Sequence, residues 1–179
     1  MIIESAEYTL TIIQEPYYAV GSSDNLNSYS NEYDLGDGYK PVAIYGLRSE
    51  TGSSCVLLAA GGATSVSEQS VVIKNTTVWV GIADTLVCLS LPSLEKQWHV
   101  KIDDATCFGV FFSPDGQGLL IHGELLITKI TFAGDVLWTS GGKDIFTEGF
   151  AIYDSYIEAV DFNHEKYRIS IDNGASELV

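Results

Sequence analysis

Residues 112–138 read FSPDGQGLLIHGELLITKITFAGDVLW, and this stretch decides what kind of chain it belongs to. Pro114 presets φ and Asp115-Gly116 supplies a tight reversal, so FSPDG is a turn between strands. After it, LLIH, LITKITF and VLWTS are short runs of strand formers separated by GE and AGD. That order is a meander of antiparallel strands.

Laid on itself, the chain repeats this order. VWVGIADTLVCLSLPSLEKQW ends at Trp98 and LLIHGELLITKITFAGDVLW ends at Trp138, 40 residues on. A fainter copy, FAIYDSYIEAVDFNHEKYRISI, starts at Phe150. Each copy has a first strand (VWVG, LLIH, FAIY), an alternating second strand (LVCLSL, LITKITF, IEAVDF) and an aromatic or apolar third (QWHVKI, VLWTS, YRISI). Such a unit presents an apolar sheet face that must be buried against the next, and stacked units make a continuous core.

The segments LVCLSLPSLEKQW and TKITFAGDVLW resemble the quinoprotein-type β-propeller repeat, and FSPDG is similar to the inter-strand turn of WD-type and Tol-type propellers. The resemblance spans roughly residues 78–171. It implies blades of about 40 residues and a Trp that docks onto the neighbouring blade. The chain departs from the pattern in three places. PSLEK and AGD replace the Thr-Gly turn, no copy carries the Ala-x-Asp signature, and the third copy has Tyr167 near the expected Trp position. A length of 179 residues leaves room for about three to four blades, at or below the lower limit of a closed ring. The expected fold is therefore all-β: antiparallel meanders with blade-like repeat units, open or two-layer and incompletely propeller-like.

Upstream of the repeats, EYTLTII (7–13) alternates as a half-buried strand does, with Tyr8, Leu10 and Ile12 on one face. VAIYGLR (42–48), CVLLAA (55–60) and SVVIK (70–74) also read as strands. Between them, residues 20–41 are dominated by Ser, Asn, Asp and Gly and read as a long polar loop, either a binding loop or a disordered one. Its Tyr29, Tyr33 and Tyr39 stand among Ser, Asn and Gly, the composition of adaptable recognition surfaces. The GGATS segment is followed by no Lys, so it is not a phosphate loop. One domain over 1–179 accounts for all of this.

The formal net charge is −15, from 24 acidic and 9 basic side chains. Such a surface repels nucleic acid and anionic membranes, and steers a basic protein partner toward itself. Cys55, Cys88 and Cys107 are odd in number, widely spaced and set among apolar neighbours, which reads as buried core thiols in a reducing compartment. The N-terminus carries acids where a secretory signal carries Lys or Arg, and no run reaches the ~18 apolar residues of a membrane span. A cytoplasmic protein is expected.

Five polar residues sit at the turns of the repeat: Asp103 and Asp104 in KIDDAT, His122 and Glu124 in IHGEL, and Asp144 in GGKDIF. If corresponding turns share a rim, these could converge on a metal or cationic ligand; otherwise they are ordinary turn residues. His99, His122 and His164 have no metal-ligand spacing, no serine-nucleophile motif occurs, and no motif calls for a cofactor. The expected function is a non-catalytic acidic protein-binding module, of which an immunity-like neutraliser of a cationic toxin or nuclease is one example. The alternative is a carbohydrate- or metal-binding, or hydrolytic, domain using the rim carboxylates and His122. Self-association through exposed sheet edges is a further route.

Overall fold

The computed structural model describes residues 1–62 and 64–179. Each run of strand formers becomes one strand, and the strands collect into four sheets in chain order. The first holds β1 (Ile2–Glu4), β2 (Thr9–Gln14), β3 (Asn31–Asp34), β4 (Ala43–Ser49) and β5 (Ser54–Ala59), in the order β1-β2-β4-β5-β3. A 3-10 turn, Glu68–Ser70, leads into the second sheet, a meander of β6 (Val71–Lys74), β7 (Thr77–Ile82), β8 (Thr85–Ser90) and β9 (Lys96–Lys101). The third is a meander of β10 (Cys107–Phe112), β11 (Gly118–Gly123), β12 (Leu126–Thr131) and β13 (Val136–Gly141). The fourth follows the same plan with β14 (Gly149–Ile152), β15 (Tyr156–Val160), β16 (Lys166–Ser170) and β17 (Ser176–Leu178). FSPDG is the β10–β11 turn, closed by Ser113 N donating to Gly118 O at 3.0 Å.

Period-two alternation sends successive side chains to opposite faces, which is how one strand serves two cores. On β7, Val78 and Val80 join Tyr45 and Leu57 of the first sheet, while Trp79 joins Val110, Leu119 and Ile121 of the third. On β11, Leu119 and Ile121 face the second sheet and Leu120 packs with Ile157, Ala159 and Ile169 of the fourth. Three cores thus join neighbouring sheets in turn, and among the described residues none joins the fourth sheet to the first. Each fully buried Leu, Ile or Val removes from water an apolar surface worth about 2 kcal/mol. The open, blade-like all-β architecture expected from the repeats is the one observed.

The two tryptophans do what the resemblance implies. Trp98 on β9 pairs with Cys88 and Trp138 on β13 pairs with Lys129, each beside a register shift at the same place in its sheet. Each ring rests on a glycine of the next sheet's last turn: a Cβ at Gly134 would lie 3.1 Å from Trp98, and one at Gly174 would lie 2.7 Å from Trp138. Both glycines also have positive φ, +99° and +71°. Trp138 Nε1 completes its seat by donating to Ile171 O at 3.0 Å.

Two expectations need correction. The third copy is out by one strand: FAIY is β14, the first strand of its sheet, whereas VWVG and LLIH belong to the second strands β7 and β11. Meander strands share one alternation, so slipping a whole strand preserves the pattern. Tyr167 therefore lies on β16, and the counterpart of the Trp strand is the short β17. The polar segment 20–41 is also not loop throughout, because Asn31–Asp34 forms β3, pairing parallel with β5. Its residues are half-buried or exposed, so no apolar alternation announced it.

Candidate functional site

The connections at one end of the sheets are laced into a single rim by backbone hydrogen bonds. Cys107 N donates to Ala83 O at 2.6 Å, Glu124 N to Thr106 O at 2.8 Å, Phe146 N to Glu124 O at 2.7 Å and Phe162 N to Ile145 O at 2.8 Å. The five polar residues singled out in the repeat all lie on or beside this rim, but Asp103, His122 and Asp144 are held by contacts within the protein. Asp103 is buried, and its carboxylate accepts from the backbone N–H of Ala105 at 2.7 Å, Leu125 at 3.0 Å and Leu126 at 2.9 Å. It is a turn-building acid that stitches the second sheet's exit to the third sheet's turn. In the fourth sheet Asp161 does similar work, accepting from Asn163 N, Glu165 N and the Tyr167 hydroxyl.

Asp104 is exposed and pairs with Lys101 at 3.1 Å. Asp144 accepts from Ile145 N and from Asn163 Nδ2, both at 2.8 Å. Glu124 is half-buried at the β11–β12 turn. His122 lies flat against Phe150, ring centroids 4.3 Å apart, with Nε2 donating to Phe146 O at 3.0 Å. Burial lowers its pKa, against the opposing pull of the Phe146 carbonyl and Asp103, so the ring is a neutral packing element. Among the described residues no group of three His, Cys, Asp or Glu side chains could hold a metal ion.

The three tyrosines of the polar segment are placed apart from one another, and only Tyr39 comes near the rim, beside Asp84 and Lys101. Tyr29 donates to Glu15 at 2.5 Å, with the Arg48 guanidinium 4.9 Å above its ring, and Asn27 Nδ2 donates to the same carboxylate at 2.7 Å. Burial raises the Tyr29 pKa, and the Glu15 hydrogen bond and charge add to it. Tyr29 and Tyr18 cover Ile44, Val56 and Leu58, so this segment closes the outer face of the first sheet. Tyr33 bridges sheets, donating to Leu94 O and accepting from Lys96 N, both at 3.2 Å. Tyr39 is exposed and lines a cavity of about 330 Å³ shared with Asp37, Asp84, His99 and Lys101.

Two residues that sequence reasoning passed over stand out on the connection between β2 and β3. Tyr17 is 93% and Leu26 96% exposed, and both line a cavity of about 350 Å³ with Asp24 and Asn25. Their frame is fixed locally, since Asn25 both accepts from Ala19 N at 2.9 Å and donates to Ala19 O at 2.8 Å. The available signal was Leu26 itself, a large aliphatic side chain between two asparagines in a run of polar residues.

No protein-family model and no curated protein sequence matches this chain. Solved structures do. The β-propeller domain of Cps50 (Swd1) from Myceliophteria thermophila superposes with a TM-score of 0.53 at 11% identity, over 76% of this chain and 54% of that one. The fold is that of β-propeller blades. BamB from Moraxella catarrhalis superposes with a TM-score of 0.52 at 16% identity, over 98% of this chain and 62% of that one. This propeller-like chain thus spans little more than half the length of the propellers it matches, which agrees with four blade sheets in an open row.

Proposed function

We propose that this chain is a non-catalytic protein-binding module that engages a basic partner through the segment covering its first sheet. The observation that carries the reading is the pair Tyr17 and Leu26, 93% and 96% exposed beside Asp24 on a frame held by hydrogen bonds. Rigid, exposed aromatic and aliphatic side chains are expensive to leave in water and are the usual anchors of an interface. The net charge of −15 would accelerate approach of a cationic partner and is the natural source of its selectivity. Neutralising a cationic toxin or nuclease is one form this function takes. The hydrolytic alternative draws no support from the rim, where Asp103, His122 and Asp144 are engaged in holding turns.

Affinity purification at low and high salt, with the wild type and a Tyr17→Ala/Leu26→Ala double variant, tests this. A basic protein recovered by the wild type at low salt, and lost both at high salt and from the double variant, is the expected result. Equal recovery by the double variant would place docking elsewhere, and recovery of no protein at all would sink the reading.

A further inference from the structure

A groove of about 770 Å³ runs between the second and third sheets on the side away from the rim. Its apolar part is aromatic: Trp79, Trp98 and Phe132 line it, with the rings of Trp79 and Phe132 5.3 Å apart. Its polar part is hydroxyl and amide, from Asn75, Ser93 and Gln97 among others. Trp79 is buried, and its Nε1–H has no acceptor within the protein. That is an unusual donor to leave orphaned, since buried polar groups are nearly always paired. The equivalent wedge between the third and fourth sheets is filled differently. There Lys129, in the place of Cys88, is bonded to Asp115 and, at 3.0 Å, to Ile171 O.

The charge of the lining narrows the ligand. On a molecule of net charge −15, the groove carries one Lys and one Glu, Lys74 and Glu95. Lys74 lies over Phe132, its ammonium 4.5 Å from the ring centroid. An anionic ligand is repelled by the field of the whole protein, and a strongly cationic one would find a single carboxylate and a competing ammonium. A neutral molecule with C–H faces for aromatic rings and hydroxyls for amide and hydroxyl partners meets every wall. We propose that this groove is a binding site for a neutral oligosaccharide, with the partly exposed Trp98 and Phe132 as its aromatic wall over the buried Trp79, and Asn75, Ser93 and Gln97 as its polar rim. Its volume is within the ordinary range for small-ligand sites.

The test uses the full chain with cellotetraose, maltotetraose and chitotetraose, followed by tryptophan fluorescence and calorimetry. Saturable binding of at least one, weakened tenfold or more by Ser93→Trp, which fills the groove from its rim, is the expected result. Gln97→Ala, at an exposed position, should weaken the same sugar without changing the unfolding midpoint, and keeps the test sound if Ser93→Trp disturbs its turn. Tyr17→Ala/Leu26→Ala should leave sugar binding unchanged, which separates this site from the docking segment. Absence of saturable binding by all three sugars, or binding indifferent to Ser93→Trp and Gln97→Ala, would overturn the proposal. Hexalysine binding that Ser93→Trp abolishes, with no sugar binding, would give the groove to a basic peptide instead.

Discussion

Asp115 of FSPDG has a second task beyond its turn. It meets the ammonium of Lys129, whose side chain is only 3% exposed, and Lys129 also donates to Ile171 O of the fourth sheet. Burial acts to raise the Asp115 pKa, but the hydrogen bonds from Lys129 and Gln117 N and the Lys129 charge prevail and bring it from 3.8 to about 2. A carboxylate with a depressed folded pKa contributes stability above its unfolded value, and that contribution is lost as the pH falls through the folded one. Asp115→Asn should therefore destabilise the protein by about 2 kcal/mol at neutral pH, less than for a fully dry pair because part of Asp115 remains in water. The gap between variant and wild type, read from urea unfolding, should close between about pH 4 and pH 2. A gap independent of pH would mean the ion pair is not its source. The cysteines follow the same logic with the opposite sign: burial pushes Cys55 and Cys107 up to about 12 and Cys88 to about 11. All three should be protonated and unreactive toward a thiol reagent at pH 8 in the native protein, and all three should label once guanidinium unfolds it.

At the scale of elements, the contact that repeats is a tryptophan from one sheet resting on a glycine from the next. Gly174 and Gly116 both have positive φ, +71° and +73°, but a Cβ on Gly174 would strike Trp138 whereas one on Gly116 meets open space. Gly116→Ala should cost about 1 kcal/mol, the backbone strain alone, and Gly174→Ala about 2 kcal/mol more. Equal losses in urea unfolding would show that the Trp138 seat yields freely. This seat explains what was legible from sequence and what was not. The 40-residue spacing of Trp98 and Trp138 marked the repeat, and the resemblance to propeller repeats implied that each docks onto the next sheet. The third copy was misaligned because no tryptophan marks β17, and alternation alone cannot distinguish one meander strand from the next. β3 was invisible for a related reason: Asn31–Asp34 joins the sheet by its backbone and by Tyr33 reaching Leu94, without an apolar face of its own.

For the molecule as a whole, the two end sheets decide how it behaves in solution. The outer face of the first is covered by Tyr18 and Tyr29. The outer face of the fourth carries Glu158 paired with Lys166 at 3.3 Å and Arg168 at 3.7 Å, and Arg168 also lies 4.6 Å above the Tyr156 ring. Neither face offers the apolar surface through which the inner sheets stack, and the net charge of −15 adds repulsion between copies. These 179 residues should sediment as a monomer at micromolar concentration, and Glu158→Leu/Arg168→Leu, which replaces a cross-strand ion pair by apolar side chains, should promote association. A wild-type dimer in sedimentation equilibrium would contradict this account of the end faces.

The repeat of short alternating strands, the turn chemistry of FSPDG and the spaced tryptophans are local and periodic, so the blade-like all-β character, the buried thiols and the acidic surface could be read along the chain. The fates of Asp103, His122 and Asp144 could not. Whether a carboxylate in a turn faces solvent or accepts three backbone N–H groups depends on the turn of the neighbouring sheet, about twenty residues away in the chain for Asp103 and Leu125. The same holds for the aromatic groove between the second and third sheets and for the hydrogen bond from Lys129 to Ile171 O of the fourth. Each arises where two sheets or segments meet, and only the stacking of complete sheets brings those partners together.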